Sequence, residues 1–533
     1  MKTVLLFCVL GLSVYVSAIE PLPDYPGAGT GTHYWIDPIA GNDANPGTES
    51  EPWETPDAME THSFAPGDVI HFLPGTHTSV NSLNLESLAG SSSAWIGLVA
   101  DGDVTLTHDT ASANCINLRG CEYLYIYGFK LVANTRGSSD VVKLEHYPSH
   151  HIAIDSCSMR NGSCGVGAHT LSGDRTSDDI RVLRCEIYQC DNGIYWGYYE
   201  TSASSRRFVN NSRIADNYIH HCSDNATPAE GYGIQIKGGC RGNVIEGNVI
   251  ANSSGTSRAS IAIYHISTDG GTQTARNIIR RNFILDSGNE GIYAAEGALI
   301  ENNIIYRPIG VGINIAPRLE FYGNITLRNN TVTSHLTSST STRCLIIQYQ
   351  SPYSLPFDIT NNLLIGGNAT TRTFYVNSSF TALTGHRNAC YGDAVWADNM
   401  DVVPIADPSA VVGTTYGDKN FMYPTVGSML INDGYASNAA TVDFNGTTRS
   451  QPDIGAYECT TDDNPGWTLT SGFSDGSGGG SIVPSDKKKN SGCSMASCRN
   501  DATFQLAVLA GCLGLRLLSR RLRFQYRRAD SLF

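Results

Sequence analysis

The chain lacks an excess of basic residues. Its 36 lysines and arginines are outnumbered by 50 aspartates and glutamates, which gives a formal net charge of −14. Proteins that bind nucleic acid carry a basic footprint that pairs with phosphates. The sequence therefore predicts no nucleic-acid partner. An acidic surface keeps a protein soluble, and it still allows binding of an anionic ligand at a local basic patch.

The chain also lacks paired Cys-x-x-Cys motifs, and this argues against a zinc knuckle. It nevertheless contains 15 cysteines, of which 11 lie between positions 115 and 459. Export permits disulfides. Because 11 is an odd number, at least one of these thiols must stay free or buried.

No apolar run near the N-terminus is long enough to span a membrane. Residues 1–18 instead have the layout of a secretory signal peptide: Lys2, an apolar run over 4–12, and the small residues Ser17 and Ala18 before the expected cleavage point. We therefore expect an exported protein, with residues 19–32 as a linker before the folded body.

The C-terminal region is predicted to be a Gly/Ser-rich linker over 461–492 followed by a sorting or anchor segment over 493–533. Apolar residues 504–518 precede five arginines, which the positive-inside bias keeps on the cytoplasmic side. The apolar part is short for a permanent span. A bacterial surface-sorting signal is the first interpretation and one short transmembrane helix is the alternative. Both predict a bacterial cell-surface, outer-envelope or extracellular location, with membrane contact only through this tail.

One short pattern, apolar-x-x-Asn-x-apolar, recurs through the middle of the chain. Successive copies lie 21 to 34 residues apart, and this uneven spacing excludes helical repeats of fixed length. The short strand-like runs between the copies leave no room for a ten-residue amphipathic helix. The positions in the Asn column are Asn217, Asn248, Asn282, Asn303, Asn330 and Asn362, with Phe129, Cys157 and Cys185 in the same frame upstream.

Short strands that repeat in register, without helices between them, form a parallel sheet only if the chain winds as a solenoid. Coils then stack about 4.8 Å apart, so the recurring asparagines can bond one another from coil to coil. Ordinary turn chemistry explains one or two such asparagines but not six in frame. The predicted fold is therefore all-β: a right-handed parallel β-helix with an Asn ladder over residues 33–460. We expect the protein to be a monomer.

With these repeats, the chain resembles the pectate-lyase-like parallel β-helix superfamily over residues 33–460. The entry region contains His33-Tyr-Trp-Ile-Asp-Pro38 and Gly41-Asn-Asp-Ala-Asn-Pro-Gly47. The exit region, Asp443-Phe-Asn-Gly-Thr-Thr-Arg449 followed by Pro452-Asp-Ile-Gly-Ala-Tyr-Glu458, is similar to that of bacterial β-helix repeat surface proteins with a choice-of-anchor tail. The resemblance implies a polysaccharide as partner, and it does not specify a reaction.

Motifs of particular activities in this superfamily are missing. The sequence has no Arg-x-Pro-x-x-Arg of pectate lyases, no Asp-Pro-x-His of mannuronan epimerases, and no Gly-His-Gly or Arg-Ile-Lys of polygalacturonases. Hydrolysis by two carboxylates stays open in principle, with Glu145 and Glu296 as outward candidates several coils apart.

Aligned strands place polar and aromatic side chains in outward columns. Lys143 and Asn314 belong to these columns, together with most of the substrate-binding residues named below. Such a surface suits an extended glycan, because sugar faces pack on aromatic rings while hydroxyls need hydrogen-bond partners. Insertions on two adjoining coils are expected to wall a cleft there; they span 200–213, 222–231, 252–260 and 267–277. The predicted substrate-binding residues are Tyr195, Gln235, His169, Tyr293, His220 and His221.

Lys237 is the predicted general base. A lysine that is partly desolvated among other cations has a lowered pKa and can accept a proton. The reaction would be β-elimination on a uronate, with an arginine neutralising the carboxylate and an acid protonating the leaving oxygen. The candidate catalytic residues are Lys237 as base, Arg258 or Arg241 as carboxylate partner, and Tyr264 or His265 as acid. A solvated lysine, a non-catalytic glycan-binding or adhesive protein, and a structural surface spacer are the alternatives.

Calcium and disulfides remain open. The resemblance implies Ca²⁺ as the one candidate cofactor, and oxygen-rich loops at Ser223-Asp224-Asn225 or 174–179 could supply ligands, although acidic turns are common in exported solenoids. Stacking favours two cysteine pairs, Cys157 with Cys185 and Cys190 with Cys222. Each pair can be a disulfide or two stacked, buried thiols.

Overall fold

The computed structural model describes residues 22–23, 25–169, 175–198, 207–264, 275–316, 325–335, 342–348, 357–370, 372–376, 383–394 and 400–473. The chain divides into two units, Met1–Ser481 and Ile482–Phe533. The second unit lies outside the described residues, and so do the predicted signal peptide and anchor segment. No helix in the described ranges is long and apolar enough to cross a membrane.

The described residues form an all-β parallel solenoid, as predicted, and their strands lie in two sheets. The 26 strands of sheet 1 are β1 (His33–Ile36), β2 (Val69–Phe72), β3 (Gly75–Ser79), β5 (Ile96–Ala100), β6 (Val104–His108), β8 (Glu122–Tyr127), β9 (Lys130–Val132), β11 (His150–Asp155), β12 (Ser158–Arg160), β14 (Arg175–Leu183), β15 (Glu186–Tyr188), β17 (Arg207–Asn210), β18 (Arg213–Ala215), β19 (Tyr218–His220), β21 (Val244–Glu246), β22 (Val249–Ala251), β24 (Asn277–Arg280), β25 (Phe283–Leu285), β27 (Ala298–Glu301), β28 (Ile304–Tyr306), β30 (Thr326–Arg328), β31 (Thr331–Thr333), β33 (Phe357–Thr360), β34 (Leu363–Ile365), β36 (Leu383–Tyr391) and β38 (Met400–Pro404).

Sheet 2 takes one strand from each coil. Its 12 strands are β4 (Leu83–Glu86), β7 (Ile116–Arg119), β10 (Val142–Leu144), β13 (Cys164–Ala168), β16 (Asn192–Trp196), β20 (Ile234–Ile236), β23 (Ile261–Ile263), β26 (Ile292–Ala294), β29 (Val311–Ile315), β32 (Arg343–Ile347), β35 (Arg372–Val376) and β37 (Asp393–Ala394). The described part also contains short 3-10 helices at Pro26–Ala28, Pro56–Thr61, Pro408–Ala410 and Ala436–Asn438.

The core consists of stacked β-branched side chains. In sheet 2 one inward column holds Ile194, Ile234, Ile261, Ile292 and Ile313, each at most 1% exposed. Isoleucine suits this position because its branched side chain packs well on a pleated surface. Burying one such side chain contributes about 1.5–3 kcal/mol. The sum over many coils can hold the solenoid together without helices.

The predicted Asn ladder is present, at the bend between the two strands that each coil gives to sheet 1. The side-chain amide of Asn282 donates to Asn303 Oδ1 at 2.9 Å, and that of Asn303 donates to Asn330 Oδ1 at 3.0 Å. The residue before the ladder position has positive φ, as in Arg281 (56°) and Asn302 (54°). Asn tolerates this left-handed region better than most residues, which explains the Asn-Asn pairs in the sequence.

A second polar ladder, which the sequence analysis missed, lies five residues before the first. The backbone N–H of Ser212 donates to Asn243 Oδ1, and that of Asn243 donates to Asn277 Oδ1, both at 3.1 Å. The side chains of these two asparagines also donate to Val209 O and Cys240 O, each at 2.9 Å. The coils that carry Ser212, Asn243 and Asn277 are therefore fastened at both ends of their first strand in sheet 1.

The stacked cysteines are free thiols in the structure. Cys157 and Cys185 occupy neighbouring rungs, and their Sγ atoms donate to Asp155 O at 3.3 Å and Leu183 O at 3.2 Å. Cys190 and Cys222 are likewise free and buried. The structure thus has the buried-thiol alternative at both pairs, where a thiol behaves as a small apolar residue.

Candidate functional site

The outward face of sheet 2 carries two columns of side chains. The strand register stacks the first column as Asn117, Lys143, Gly167, Tyr195, Gln235, Ala262, Tyr293 and Asn314. Backbone hydrogen bonds two residues later stack the second column as Glu145, His169, Gly197, Lys237, Tyr264 and Ala295. The register thus brings the predicted aromatic and charged residues of this face together, in two adjacent columns.

Lys237 lies between two tyrosine rings, as the register predicted. Its Nζ is 4.7 Å from the centroid of the Tyr264 ring and 5.3 Å from that of Tyr195. Burial lowers the pKa of Lys237, and the positive charge of Arg258 lowers it further. The rings attract the ammonium group by cation–π interaction, which opposes this shift in part. The lysine is therefore held in place while its neutral form becomes more accessible.

A group of tyrosines extends this environment along the coils. The hydroxyls of Tyr232 and Tyr264 are hydrogen-bonded, and the Tyr264 and Tyr293 rings lie 5.3 Å apart. The guanidinium of Arg258 lies 5.7 Å from the Tyr232 ring centroid and is ion-paired with Glu230. The insertions at 222–231 and 252–260 that carry these two charges contact each other, with Ser257 N donating to Ala229 O at 2.8 Å.

Glu290 lies on the same face of sheet 2 and was not foreseen. Its carboxyl group accepts hydrogen bonds from the side chains of Asn289 at 2.7 Å and Asn314 at 3.2 Å. Burial raises the pKa of Glu290, which the hydrogen bond from Asn314 offsets only in part. In its neutral form, which the raised pKa favours, this carboxyl group can donate a hydrogen bond to a sugar hydroxyl.

A second polar group lies one coil beyond Tyr195. His169 stacks on the Tyr195 ring at 5.0 Å, and its Nε2 is 2.9 Å from Asp140 Oδ2 and 3.7 Å from Cys164 Sγ. We call Asp140, Cys164 and His169 the Asp–Cys–His cluster; their ligand atoms all lie within 4.8 Å of one another. Burial raises the pKa of Asp140, but His169 and Lys143 outweigh this effect and bring it below its ordinary value.

The structure does not bring all predicted site residues together. His220 ends β19 in sheet 1, where it stacks between Tyr188 and Tyr218, and His221 follows it, with their Nδ1 atoms 2.9 Å apart. His220 therefore belongs to the other sheet, and His221 lies in the bend just beyond it. The backbone N–H of Arg241 donates to Asn210 Oδ1 at 2.8 Å, at the bend into sheet 1. His265 lies outside the described residues.

The proposed calcium loops are engaged in other contacts. Asp224 Oδ1 accepts backbone hydrogen bonds from Ala226 and Thr227, at 2.7 and 2.9 Å, and so closes its own turn. Asp179 is paired with Arg181 and with His151. Position 174, where the loop at 174–179 begins, lies outside the described residues. These contacts give no support to a calcium site at either loop.

Comparison with known proteins finds similarity only among solved structures. No protein-family model matches the chain, and no curated protein matches it. The pectate lyase Pel9A is 15% identical with a TM-score of 0.48, over 81% of this chain and 98% of that chain. An alginate lyase from Paenibacillus sp. str. FPU-7 is 16% identical with a TM-score of 0.35, over 56% and 93%. A rhamnogalacturonan lyase is 14% identical with a TM-score of 0.40, over 72% and 91%. The parallel solenoid described above is the fold that the resemblance to the pectate-lyase-like superfamily implied.

Proposed function

We propose that this protein binds an acidic polysaccharide along the outward face of sheet 2 and cleaves it by β-elimination at Lys237. The observation that carries the proposal is the position of Lys237, half-buried between Tyr195 and Tyr264 and with a lowered pKa. A structural lysine on a solvated strand edge needs neither feature. A general base needs both, because it must lose its proton near neutral pH and must stay in place.

These residues supply the groups that β-elimination requires. The neutral Nζ of Lys237 takes the C5 proton of a uronate, the electron pair forms a C4–C5 double bond, and the C4–O bond breaks. The hydroxyl of Tyr264 protonates the leaving oxygen, and its hydrogen bond to Tyr232 offers a path to replace that proton. The product carries an unsaturated uronate at its new non-reducing end.

Arg258 is the better of the two arginines for the substrate carboxylate. Its charge acts on Lys237, and its guanidinium lies against Tyr232 beside the site. It is partly exposed and paired with Glu230, so a uronate can exchange for Glu230 at little cost. Neutralising the carboxylate makes the C5 proton more acidic, so Lys237 can remove it more readily.

Hydrolysis by Glu145 and Glu296 does not fit the geometry. The strands that precede them, β10 and β26, are five steps apart in sheet 2. At about 4.8 Å per step the two carboxyl groups lie about 24 Å apart, whereas an inverting pair needs about 6.5–9.5 Å. Glu145 is also paired with Arg119 at 2.9 Å.

A non-catalytic glycan-binding protein is the second candidate, and the same aromatic and polar face favours it. Two variants separate it from the lyase. Lys237→Met removes the base, and Lys237→Arg keeps a positive charge that cannot be deprotonated in a protein. Lys130→Ala is the control, since Lys130 pairs with Asp103 on sheet 1 and is 55% exposed.

The experiment incubates each protein with pectate, alginate and a glycosaminoglycan, with and without chelator, and records ultraviolet absorption of unsaturated products. We expect product from the wild type and from Lys130→Ala, and a loss of about 10²–10⁴-fold in both Lys237 variants. Lys237→Arg should still be retained on the immobilised polymer. Unchanged product formation by Lys237→Met would reject this base. Retention of the wild type without product on any polymer would favour the binding protein.

We also propose that the mature protein acts outside the cell, at the bacterial surface or in the medium. The support is the sequence layout of residues 1–18 and 493–533. Fractionation of expressing cells, with surface proteolysis of the intact cells, tests this location; protein found only in the cytoplasm would contradict it.

A further inference from the structure

We propose that the Asp–Cys–His cluster is a binding site for a transition-metal ion of the zinc type. Asp140, Cys164 and His169 offer one oxygen, one sulfur and one nitrogen within 4.8 Å of one another. Carboxylate, thiolate and imidazole together suit Zn²⁺ and Co²⁺, whereas Ca²⁺ prefers oxygen alone. The site does not depend on the lyase proposal, because none of these residues is needed for the elimination step.

The cluster converges on one point, as metal ligands do. His169 approaches both Asp140 and Cys164 with the same atom, Nε2, at 2.9 and 3.7 Å. A catalytic relay would use the two ring nitrogens separately, one towards the thiol and one towards the carboxylate. Tetrahedral zinc with ordinary bond lengths separates nitrogen from oxygen by about 3.4 Å and nitrogen from sulfur by about 3.6 Å. The observed distances therefore require only small movements.

The surroundings leave space for the ion and a route to it. A Cβ atom added at Gly167 would lie 2.6 Å from Asp140 Oδ2 and 3.1 Å from His169 Cδ2, so the absence of a side chain there keeps the cluster open. The side chain of Asp140 is 2% exposed, while that of His169 is 26% exposed. Two ligands are thus buried and the third faces solvent, which leaves a coordination position for water or a substrate oxygen.

The local charge permits a divalent ion. The carboxylate of Asp140 and the thiolate of Cys164 together balance a charge of +2. Lys143 lies on the same side, with its Nζ 3.5 Å from Asp140 Oδ2, and in the metal-free protein it neutralises this carboxylate. Metal binding therefore competes with Lys143 for the carboxylate of Asp140 and displaces the proton of the Cys164 thiol.

The test is a Co²⁺ titration of the chelator-treated, full-length protein, followed by competition with Zn²⁺. We expect one ion bound per chain, with the near-ultraviolet charge-transfer band of a cobalt–thiolate bond and the strong visible absorption of a low-coordinate site. Cys164→Ser should abolish the band. His169→Asn should weaken binding by more than the roughly 10–100-fold that loss of an outer-shell partner costs.

The matched control is Cys121→Ser. Cys121 is also buried, but its thiol donates to Leu85 O at 3.0 Å, and serine can keep that bond. This variant should retain the full cobalt band. A wild-type protein without the band would overturn the proposal, and so would a band that persists in Cys164→Ser. If Cys164→Ser fails to fold, as judged by circular dichroism, the partly exposed His169→Asn variant decides: unchanged affinity rejects the site.

Discussion

Removal of one central asparagine from the ladder gives the most direct test of how the solenoid is held together. The side chain of Asn303 makes four hydrogen bonds. Its Oδ1 accepts from the backbone N–H of Asn282 at 3.1 Å and from the side-chain amide of Asn282 at 2.9 Å. Its Nδ2 donates to Ile279 O at 2.9 Å and to Asn330 Oδ1 at 3.0 Å. Asn303→Ala removes all four.

The cost follows from the donors that remain buried without a partner. In Asn303→Ala two N–H groups of Asn282 lose their acceptor, at about 1–3 kcal/mol each. The first asparagine of the ladder, Asn217, accepts only from the backbone N–H of Cys185, at 2.8 Å. Asn217→Ala therefore orphans one donor instead of two. We expect a loss of about 2–6 kcal/mol for Asn303→Ala, and about 1–3 kcal/mol less for Asn217→Ala.

Urea unfolding, followed by both circular dichroism and tryptophan fluorescence, measures the two losses. Two probes are needed because a solenoid can unfold in parts, and free energies are comparable only where the two transitions coincide. The midpoint should fall in the order wild type, Asn217→Ala, Asn303→Ala, with an unchanged slope. Equal losses in the two variants, or a loss under about 1 kcal/mol in Asn303→Ala, would refute the reasoning that orphaned donors set the cost.

Three further predictions concern charge and space. Glu246 bridges Arg213 and Arg280 at 2.8 Å each. Burial raises the pKa of Glu246, but the two arginines outweigh this effect and lower the pKa from its ordinary 4.5. The contribution of Glu246 to stability is therefore complete above pH 4.5 and is lost as the pH falls through the lowered pKa. Glu246→Gln should therefore flatten the acid limb of the plot of unfolding free energy against pH, and an unchanged limb would contradict this. For the proposed lyase, kcat/KM should rise with pH as Lys237 loses its proton, with a midpoint below the ordinary 10.5, and a midpoint at or above it would argue against this base. Gly167→Ala should weaken cobalt binding in the same titration, because its Cβ would come within 2.6 Å of a carboxylate oxygen of the Asp–Cys–His cluster; undiminished binding would place the ion elsewhere.

The ladder could be predicted from the sequence because asparagine recurs at one position of a repeated pattern. The prediction failed where another residue of that pattern is replaced. Asn388 continues the ladder, accepting from the Asn362 side chain at 3.0 Å. It was missed because Gly385 stands where the pattern requires an apolar residue, opposite Ile359. A Cβ at Gly385 would lie 2.4 Å from Met400 Cε, so a methionine from the next strand fills this position. A side chain that fills the position from another strand cannot be found by a search for patterns along the chain.

The site was predictable where it rests on strand register and not where it rests on nearness in sequence. Tyr195, Lys237 and Tyr264 follow from counting along strands that pair in register. His220 precedes Lys237 by only 17 positions, yet in a solenoid that distance leads from one sheet to the other. Asp140 is far from His169 in sequence but close to it in space. It lies before β10, outside the strands whose register was used for the prediction, and contacts His169 because the next coil stacks beside it.

The exit segment covers outward apolar residues of sheet 1 in the C-terminal coils. The strands end at Pro404, and residues 405–469 fold back over outward residues of sheet 1. These outward residues are apolar and buried beneath the segment; they include Val249, Phe283, Ile304 and Leu363. Arg449 of the exit motif anchors the cover, donating to Asn302 Oδ1 and to Glu458, both at 3.1 Å.

Sheet 2 is more polar, because its outward columns hold lysine, tyrosine, histidine and asparagine beside small residues such as Gly167 and Ala262, and Lys237, Tyr264 and His169 each keep part of their surface exposed. An apolar face left open to water would favour aggregation, whereas a polar and aromatic face can exchange water for sugar at little cost. For the glycan that we propose as ligand, sheet 2 is therefore the better suited of these two faces.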